Sequence, residues 1–584
     1  MRRARAGFPC FRLRAAAAAL LVSACQDNSQ SPASRPEIPQ KSPPESGVLG
    51  PIDLVYVCGN KFLATNATGG PVQVEYRVVG TEETRTLNLV QGPEEDPAYG
   101  ETELETTQPG TVELYRDGRR VAHRQNEGSP CGASASPTSA FVSALAGPET
   151  SGSWSAPFAW PVVAINASLL PNGRVVAWGL SGTPQVWNPS TGSFAAVPVG
   201  SWLFCSGQSF LPDGRLLVAG GHIKAFHGIP DINLFSFGTQ TWTTSTPMQH
   251  GRWYPTNTTL ANGDVLILAG TDENQIQDTV PEIWSPSGFR QLTTANRTLP
   301  YYPRTFLAPN GRVFYAGEER TTSYLSTTGT GSWSTVGDRL YGSREYGSAV
   351  MYDKGKILYV GGGRTTNTAE TIDLNGAAPA WKWTGSMAFA RRHLTATVLP
   401  TGEVLVTGGV GGTAFNDLTQ GAHAAELWSP STGTWTTLAS SAVTRGYHST
   451  SLLLPDGRIL HAGSGGASGA PDETNAELFS PPYLFKGTRP SISAAPSPIS
   501  YNSTFTVTTS QAASISKVSL IRLPSVTHAF DMNQRYQRLA FTRGSGVLTV
   551  TAPTSRNVSP PGHYMLFILN SNGVPSKAKI VRVR

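Results

Sequence analysis

The chain has 584 residues, 39% of them hydrophobic and only 14% charged, with 61 Gly, 44 Pro, 13 Trp and 5 Cys. That length predicts several domains, and abundant Gly and Trp with scarce charge predict many short strands, excluding a helical bundle or coiled coil. No apolar run approaches the roughly 20 residues of a membrane-spanning helix, and the formal charge of +6 bears on partners only if it sits on the folded part.

Residues 1–14 carry Arg2, Arg3, Arg5, Arg12 and Arg14 and no acid. The apolar run Ala15 to Val22, small residues and Cys25 follow, which describes a secretory signal over 1–25. The ending Val22-Ser23-Ala24-Cys25 resembles a bacterial lipoprotein box, whose Cys is acylated and becomes the mature N-terminus; an ordinary signal cleaved nearby is the alternative. Without residues 1–24 the chain keeps 40 basic against 39 acidic residues. A nucleic-acid partner then has no support. The expected location is outside the cytoplasm, held to a membrane only by the lipid on Cys25 or else secreted. Residues 26–48, rich in Ser, Pro and Gln, read as a semi-extended tether.

Residues 49–135 read as a small β-domain, with alternation over Val72–Val79 and Thr111–Tyr115 typical of half-buried strands. Cys58 and Cys131 stand near its two ends, and in an exported protein a disulfide between them is expected. Residues 136–154 form a linker. From 155 to 482 the sequence repeats: an apolar strand, a tight turn ending in Gly, and a second apolar strand. The turns are Asn172-Gly173, Asp213-Gly214, Asn262-Gly263, Asn310-Gly311, Lys354-Gly355, Thr401-Gly402 and Asp456-Gly457. Asn-Gly and Asp-Gly supply the positive φ angles of a two-residue hairpin. Many units end in an aromatic strand such as Val186-Trp187-Asn188-Pro189, Ile283-Trp284-Ser285-Pro286 or Leu427-Trp428-Ser429-Pro430. Seven such units predict a seven-bladed β-propeller of the kelch type. Residues 483–584 change to plain alternation, suiting an immunoglobulin-like sandwich. The fold class is all-β.

Counting about nine positions back from each turn Gly marks the start of the strand nearest the propeller axis. The residues there are Ala164, Cys205, Tyr254, Tyr302, Tyr346, His393 and His448. Equivalent positions face a common mouth, and an apolar structural ring would show Val or Ala at most of them. A thiol, three phenols and two imidazoles suit either a wet channel or a site. Cys205 and Tyr254 fall on successive blades, and Cys205 lacks a disulfide partner once Cys58 and Cys131 pair. Tyr447 adds a phenol beside His448. Among the other histidines, His393 shares the ring level, His222 and His227 lie in a blade loop without a third ligand, and His461 and His563 read as strand residues.

Phe204-Cys205-Ser206-Gly207, Arg252-Trp253-Tyr254-Pro255-Thr256, Gly446-Tyr447-His448-Ser449 and Val526-Thr527-His528 resemble the motifs of the galactose oxidase and glyoxal oxidase group of copper-radical oxidases. The resemblance runs in order over about 155–584. It implies a thioether between Cys205 and Tyr254 that makes a redox-active tyrosine. It also implies Cu(II) held by Tyr254, Tyr447, His448 and His528, with Tyr447 axial. Imidazole and phenolate suit the tetragonal preference of Cu(II). Copper exchanges one electron and the tyrosine the second, so an alcohol or aldehyde is oxidised while dioxygen leaves as hydrogen peroxide.

Galactose oxidase places a Trp over its cross-linked tyrosine, and Asp272 stands where that Trp falls. Its sugar-contacting Gln and Arg lack clear counterparts near Gly361–Thr366 and Tyr301–Arg304, whereas Phe415 matches a substrate-side Phe. Phe415, Tyr302 and Asp272 are therefore the expected substrate-side residues. The Arg-Trp-Tyr-Pro-Thr stretch is similar to the glyoxal oxidase branch, implying primary alcohols or small aldehydes as substrates of a monomer. The rival readings are a non-catalytic surface propeller that binds glycans or proteins, and a copper enzyme that cross-links surface polymer.

Overall fold

The computed structural model describes residues 52–58, 60–66, 71–90, 100–126, 147–466 and 470–584. The leader, Cys25, the tether and Cys131 lie outside them, so the lipidation and disulfide expectations fall outside the described residues as well. No helix among the described residues is long and apolar enough to cross a membrane.

Near the N-terminus two antiparallel sheets enclose a small core. One is made from Ile52–Cys58, Lys61–Asn66 and Gly100–Glu105, the other from Thr84–Leu89, Val72–Val78, Thr111–Arg116 and Arg119–Gln125. Alternate residues Val74, Tyr76 and Val78 point inward with Leu54, Phe62, Val112 and Leu114, the burial expected of period-two strands.

Seven antiparallel sheets follow in sequence order, each joined strand to neighbouring strand. Innermost strands such as Asn166–Leu169, Gly207–Phe210, Thr256–Thr259 and Thr395–Val398 are buried throughout. The ring closes by exchange of its ends. Ser153–Trp154 adds the outer strand to the seventh sheet, Trp154 opposite Phe479. Trp154 packs on Phe479 at 4.9 Å and donates its indole N–H to the Ala439 carbonyl at 2.8 Å. The repeated aromatic strand joins blades: Trp284 donates to Ser245 and Trp428 to Thr384, each at the end of the preceding blade.

Six of the seven turns correct one expectation, while across Lys354-Gly355 Asp353 pairs directly with Lys356, the two-residue loop expected. Only the Gly of each pair has positive φ, from 65° at Gly355 to 95° at Gly263, while its Asn, Asp, Lys or Thr neighbour does not. The Gly173 N–H reaches the Leu170 carbonyl and the Leu170 N–H the Arg174 carbonyl, a type I turn closed by a left-handed Gly rather than a two-residue hairpin. Asn172 and Asp213 use their side-chain oxygens to accept the N–H two residues on, which local Asx geometry favours.

Four blades carry a buried ion pair absent from the sequence reading: Arg252 with Glu282, Arg344 with Glu370, Arg391 with Glu426 and Arg445 with Glu477. The arginines precede the inner strand, the glutamates stand on the third, and the guanidiniums also bind loop carbonyls such as Ala269, Gly361, Gly408 and Gly463. Each pair thereby ties its blade's entry loop to its own sheet.

The C-terminal sandwich stacks Thr504–Thr508, Val547–Thr551 and Phe541–Gly544 against Tyr536–Leu539, Ile515–Arg522, Gly562–Asn570 and Lys579–Val583. One hairpin leaves it. Ser525–Thr527 pairs with Asn166–Leu169, the innermost strand of the first blade, and Phe530–Asp531 pairs back on it. Gln208 binds the Val526 carbonyl, Arg304 the His528 carbonyl, Ser348 the Ala529 carbonyl, and Gln534 the Val398 backbone. The hairpin is thus fastened to five blades.

Candidate active site

The register position proves to be a conformational one. Cys205, Tyr254, Tyr302, Tyr346, His393 and His448 all have φ between 46° and 69°, leaving Ala164 alone outside the left-handed region. Side chains rarely adopt that region, and runs of strained residues gather at functional sites. Here it turns the chain sharply just before each inner strand, so that the side chain leans over the axis. Backbone bonds run from blade to blade at this level: Tyr254 N–H to Cys205, Tyr302 N–H to Tyr254, and His393 N–H to Tyr346. His528 repeats the device with φ 43°.

Four donors converge. The Tyr254 hydroxyl lies 2.6 Å from the Tyr447 hydroxyl, 3.0 Å from His528 Nε2 and 3.5 Å from His448 Nε2. All four side chains are buried. Tyr447 and His448 are adjacent in sequence yet stack on one another at 3.8 Å. Strict strand alternation forbids this, and the left-handed His448 permits it.

The imidazole tautomers follow from their partners. His448 Nδ1 meets the Gly465 carbonyl at 2.7 Å, which can only accept. His528 Nδ1 meets Thr527 Oγ1 at 2.6 Å, while that hydroxyl donates to the Ile165 carbonyl at 3.0 Å. Both rings therefore carry the proton on Nδ1 and offer the Nε2 lone pair inward, as metal-ligating histidines do. Burial pushes the His448 pKa down to about 3 and His528 well below the usual histidine range, where the neighbouring His448 and Arg304 add to the effect. Burial likewise pushes the Tyr254 phenol well up. A dry cage of two neutral imidazoles and two phenols strongly disfavours bare phenolate, and a divalent cation reverses that preference. The donor set fits Cu(II).

Cys205 is buried and free of any disulfide. It belongs to the same buried cluster as Tyr254. Burial raises its thiol well above the ordinary range, partly offset by hydrogen bonding with the Tyr254 and Trp253 side chains. Over Tyr254 lies Trp253, with ring centroids 3.7 Å apart and planes within 5°. The sequence reading gave this residue no role, and placed Asp272 where the family's stacking Trp falls. Asp272 instead accepts the N–H groups of Asn274 and Ile276 through Oδ1 within its own loop. The signal that could have found Trp253 was its place beside Tyr254 in the Arg252-Trp253-Tyr254 stretch, although strand neighbours normally face opposite ways.

Tyr302 also moves from the role expected of it. It packs against Tyr254 and His528, both at 4.6 Å, and donates its hydroxyl to the Ser206 carbonyl. It is a buried prop beneath the donors. Arg304 is enclosed as well, donating to the carbonyls of Tyr302, Gly347 and His528. Phe415 is half-buried and packs edge-on against Tyr447 at 4.9 Å. His393 binds the Phe415 carbonyl through Nε2, and the neighbouring Asn416 accepts the Tyr447 N–H at 3.0 Å. His461 bonds Thr450 and Ser451 within its blade, away from the donors.

Known proteins share the fold and identify the family. Residues 363–483 match the family described as glyoxal oxidase N-terminus, and 489–583 match galactose oxidase-like, early set domain. A galactose oxidase from Gibberella zeae is 31% identical over 487 residues, covering 74% of this chain and 70% of that protein. Aldehyde oxidase GLOX from Vitis pseudoreticulata is 30% identical over 436 residues, covering 65% and 82% respectively. A fungal alcohol oxidase solved in complex with copper superposes with TM-score 0.69 at 26% identity, over 74% of this chain and all of its own. The buried N2O2 cage with a free thiol beside one of its phenols, on a seven-bladed propeller carrying a C-terminal sandwich, places this chain in the galactose oxidase and glyoxal oxidase family of copper-radical oxidases.

Proposed function

We propose that the protein is an exported oxidase of primary alcohols or small aldehydes, the latter as hydrates, that reduces dioxygen to hydrogen peroxide. The observation that carries the reading is the convergence of Tyr254, Tyr447, His448 and His528 with Cys205 packed beside Tyr254. In this reading Tyr254, Tyr447, His448 and His528 hold copper, and Cys205 is joined to Tyr254 by a thioether. The arginine-rich leader and the lipoprotein-like Val22–Cys25 support export with a lipid anchor.

Bound copper supplies one of the two oxidising equivalents and a positive pole that favours phenolate. The residues do the rest. Tyr447 accepts the hydroxyl proton of the substrate as a general base. Tyr254 takes the hydrogen atom from the carbinol carbon, and its thioether spreads the unpaired electron onto sulfur. Trp253 covers the face of that ring and keeps water from it. An alcohol thereby loses two electrons and two protons, and dioxygen gains both as hydrogen peroxide. Phe415, Tyr346 and His393 form an aromatic wall beside Tyr447. This wall suits a small or apolar substrate better than a polyhydroxylated one, whose hydroxyls need partners.

Aerobic copper loading followed by peptide mapping tests the reading. A linked Cys205–Tyr254 peptide lighter by about 2 Da and resistant to reductant is expected. Recovery of separate, unlinked peptides overturns it. A peroxide-coupled screen of alcohols and aldehydes then gives the substrate class.

A further inference from the structure

The aromatic groups around Tyr254 continue to the protein surface. Trp253, stacked on Tyr254 at 3.7 Å, donates its indole N–H to His222 Nδ1 at 3.0 Å. His222 in turn lies 4.5 Å from the Trp202 ring, edge to face. Exposure rises along this row from 1% at Tyr254 and Trp253 to 8% at His222 and 47% at Trp202. Trp202 is held in place by its own indole N–H, which donates to the Leu180 carbonyl at 2.7 Å.

The proposed turnover passes electrons between substrate, cofactor and dioxygen; it uses Trp253 to cover Tyr254 but has no use for His222 or Trp202. Nor does packing account for the outer end of the row, since Trp202 is 47% exposed. A different demand explains it. Cys205 and Tyr254 are enclosed, so an electron acceptor that stays outside the protein cannot touch them, and tunnelling decays exponentially with distance. Indoles and phenols are the side chains most readily oxidised by one electron. Two of them in van der Waals contact, followed by a hydrogen-bonded imidazole and an exposed indole, shorten every step.

We propose that Trp253, His222 and Trp202 form an electron relay through which the cross-linked Tyr254 is oxidised at the surface by a strong one-electron acceptor. The inference rests on the oxidase reading above. In each event Tyr254 loses one electron and the acceptor gains it, with no bond between heavy atoms made or broken. Trp202 yields its electron to the acceptor first, and Trp253 then refills Trp202. The Trp253 N–H proton shifts toward His222 Nδ1 and returns when Tyr254 refills that indole, so the relay ends unchanged. Such a route restores the oxidising equivalent of an enzyme that a stray reductant has inactivated.

The test uses the full-length, copper-loaded protein with its cross-link verified by peptide mapping. It is poised one electron reduced and mixed with hexachloroiridate(IV) in a stopped-flow spectrometer, following oxidant loss and the visible band of the tyrosyl radical. Trp202→Phe is expected to slow the bimolecular step roughly tenfold or more. Midpoint potential, copper content and substrate turnover stay as in the parent, and Trp202→Tyr recovers most of the rate. A Trp202→Phe protein oxidised at the parental rate overturns the relay. A slower rate accompanied by a shifted midpoint potential also overturns it, assigning the effect to the cofactor's surroundings. Absence of the cross-link in the parent overturns the oxidase reading itself, a result that mapping separates from the other two.

Discussion

Cys205 and Tyr254 come from different blades, yet the Tyr254 N–H is bonded to the Cys205 carbonyl, so the two side chains share one anchored corner. Cys205→Ser removes the sulfur while all four converging donors stay in the sequence. Copper content measured by elemental analysis should stay near that of the parent, while the mass loss disappears. Peroxide production should fall by about a thousandfold, equivalent to ~4 kcal/mol of barrier. Tyr254 and His448 were legible in the sequence because seven turn glycines give a common ruler, and because phenols and imidazoles are conspicuous where a structural ring would be aliphatic; Tyr447 followed as the neighbour of His448, and His528 only from the family resemblance. Trp253 and the tautomer-setting carbonyls were not legible. The first depends on a left-handed φ at Tyr254, the second on loops that close only in three dimensions.

At the scale of elements, the hairpin Ser525–Asp531 delivers His528, and Thr527 decides which nitrogen of that ring faces inward. Thr527→Val keeps the shape and deletes the hydroxyl. Copper affinity, measured by competition with a chelator, should drop about 10–100-fold, the usual effect of removing a partner that orients a ligand. Asp531 accepts the N–H groups of Ser525, Asn533 and Gln534. Burial outweighs these bonds and raises its pKa from 3.8 to about 6. The folded state therefore holds this proton more tightly than the unfolded chain. The contribution to stability is full below pH 3.8 and is lost as pH rises through about 6, by at most about 3 kcal/mol. Asp531→Asn should remove that component, so the difference in Tm between variant and parent should shift in favour of the variant between pH 4 and 7. An unchanged difference across that range contradicts the assignment. That this segment leaves the sandwich for the axis followed only from the resemblance of Val526-Thr527-His528 to a ligand motif; the strand pattern did not announce it, because a strand reads alike whichever sheet it joins. The buried Arg–Glu pairs were equally hidden, since their spacing of 26 to 35 residues carries no local periodicity.

For the whole molecule, the repeat made the propeller readable before any coordinate. Each blade restates the same turn and strands, and a period survives variation in individual residues. Closure of the ring was less visible, for Ser153–Trp154 lies in a stretch that reads as linker. Trp154→Ala deletes the packing on Phe479 and the bond to Ala439. It should cost about 2 kcal/mol, seen as a lower denaturation midpoint with the cross-link still forming. The hairpin that supplies His528 has a further consequence, for the timing of synthesis. Residues up to Ser480 complete seven blades while His528 is still unmade, and a chain interrupted there has a ring without its fourth donor. On the proposed reading, the copper site is thereby left incomplete until the last domain has emerged and docked.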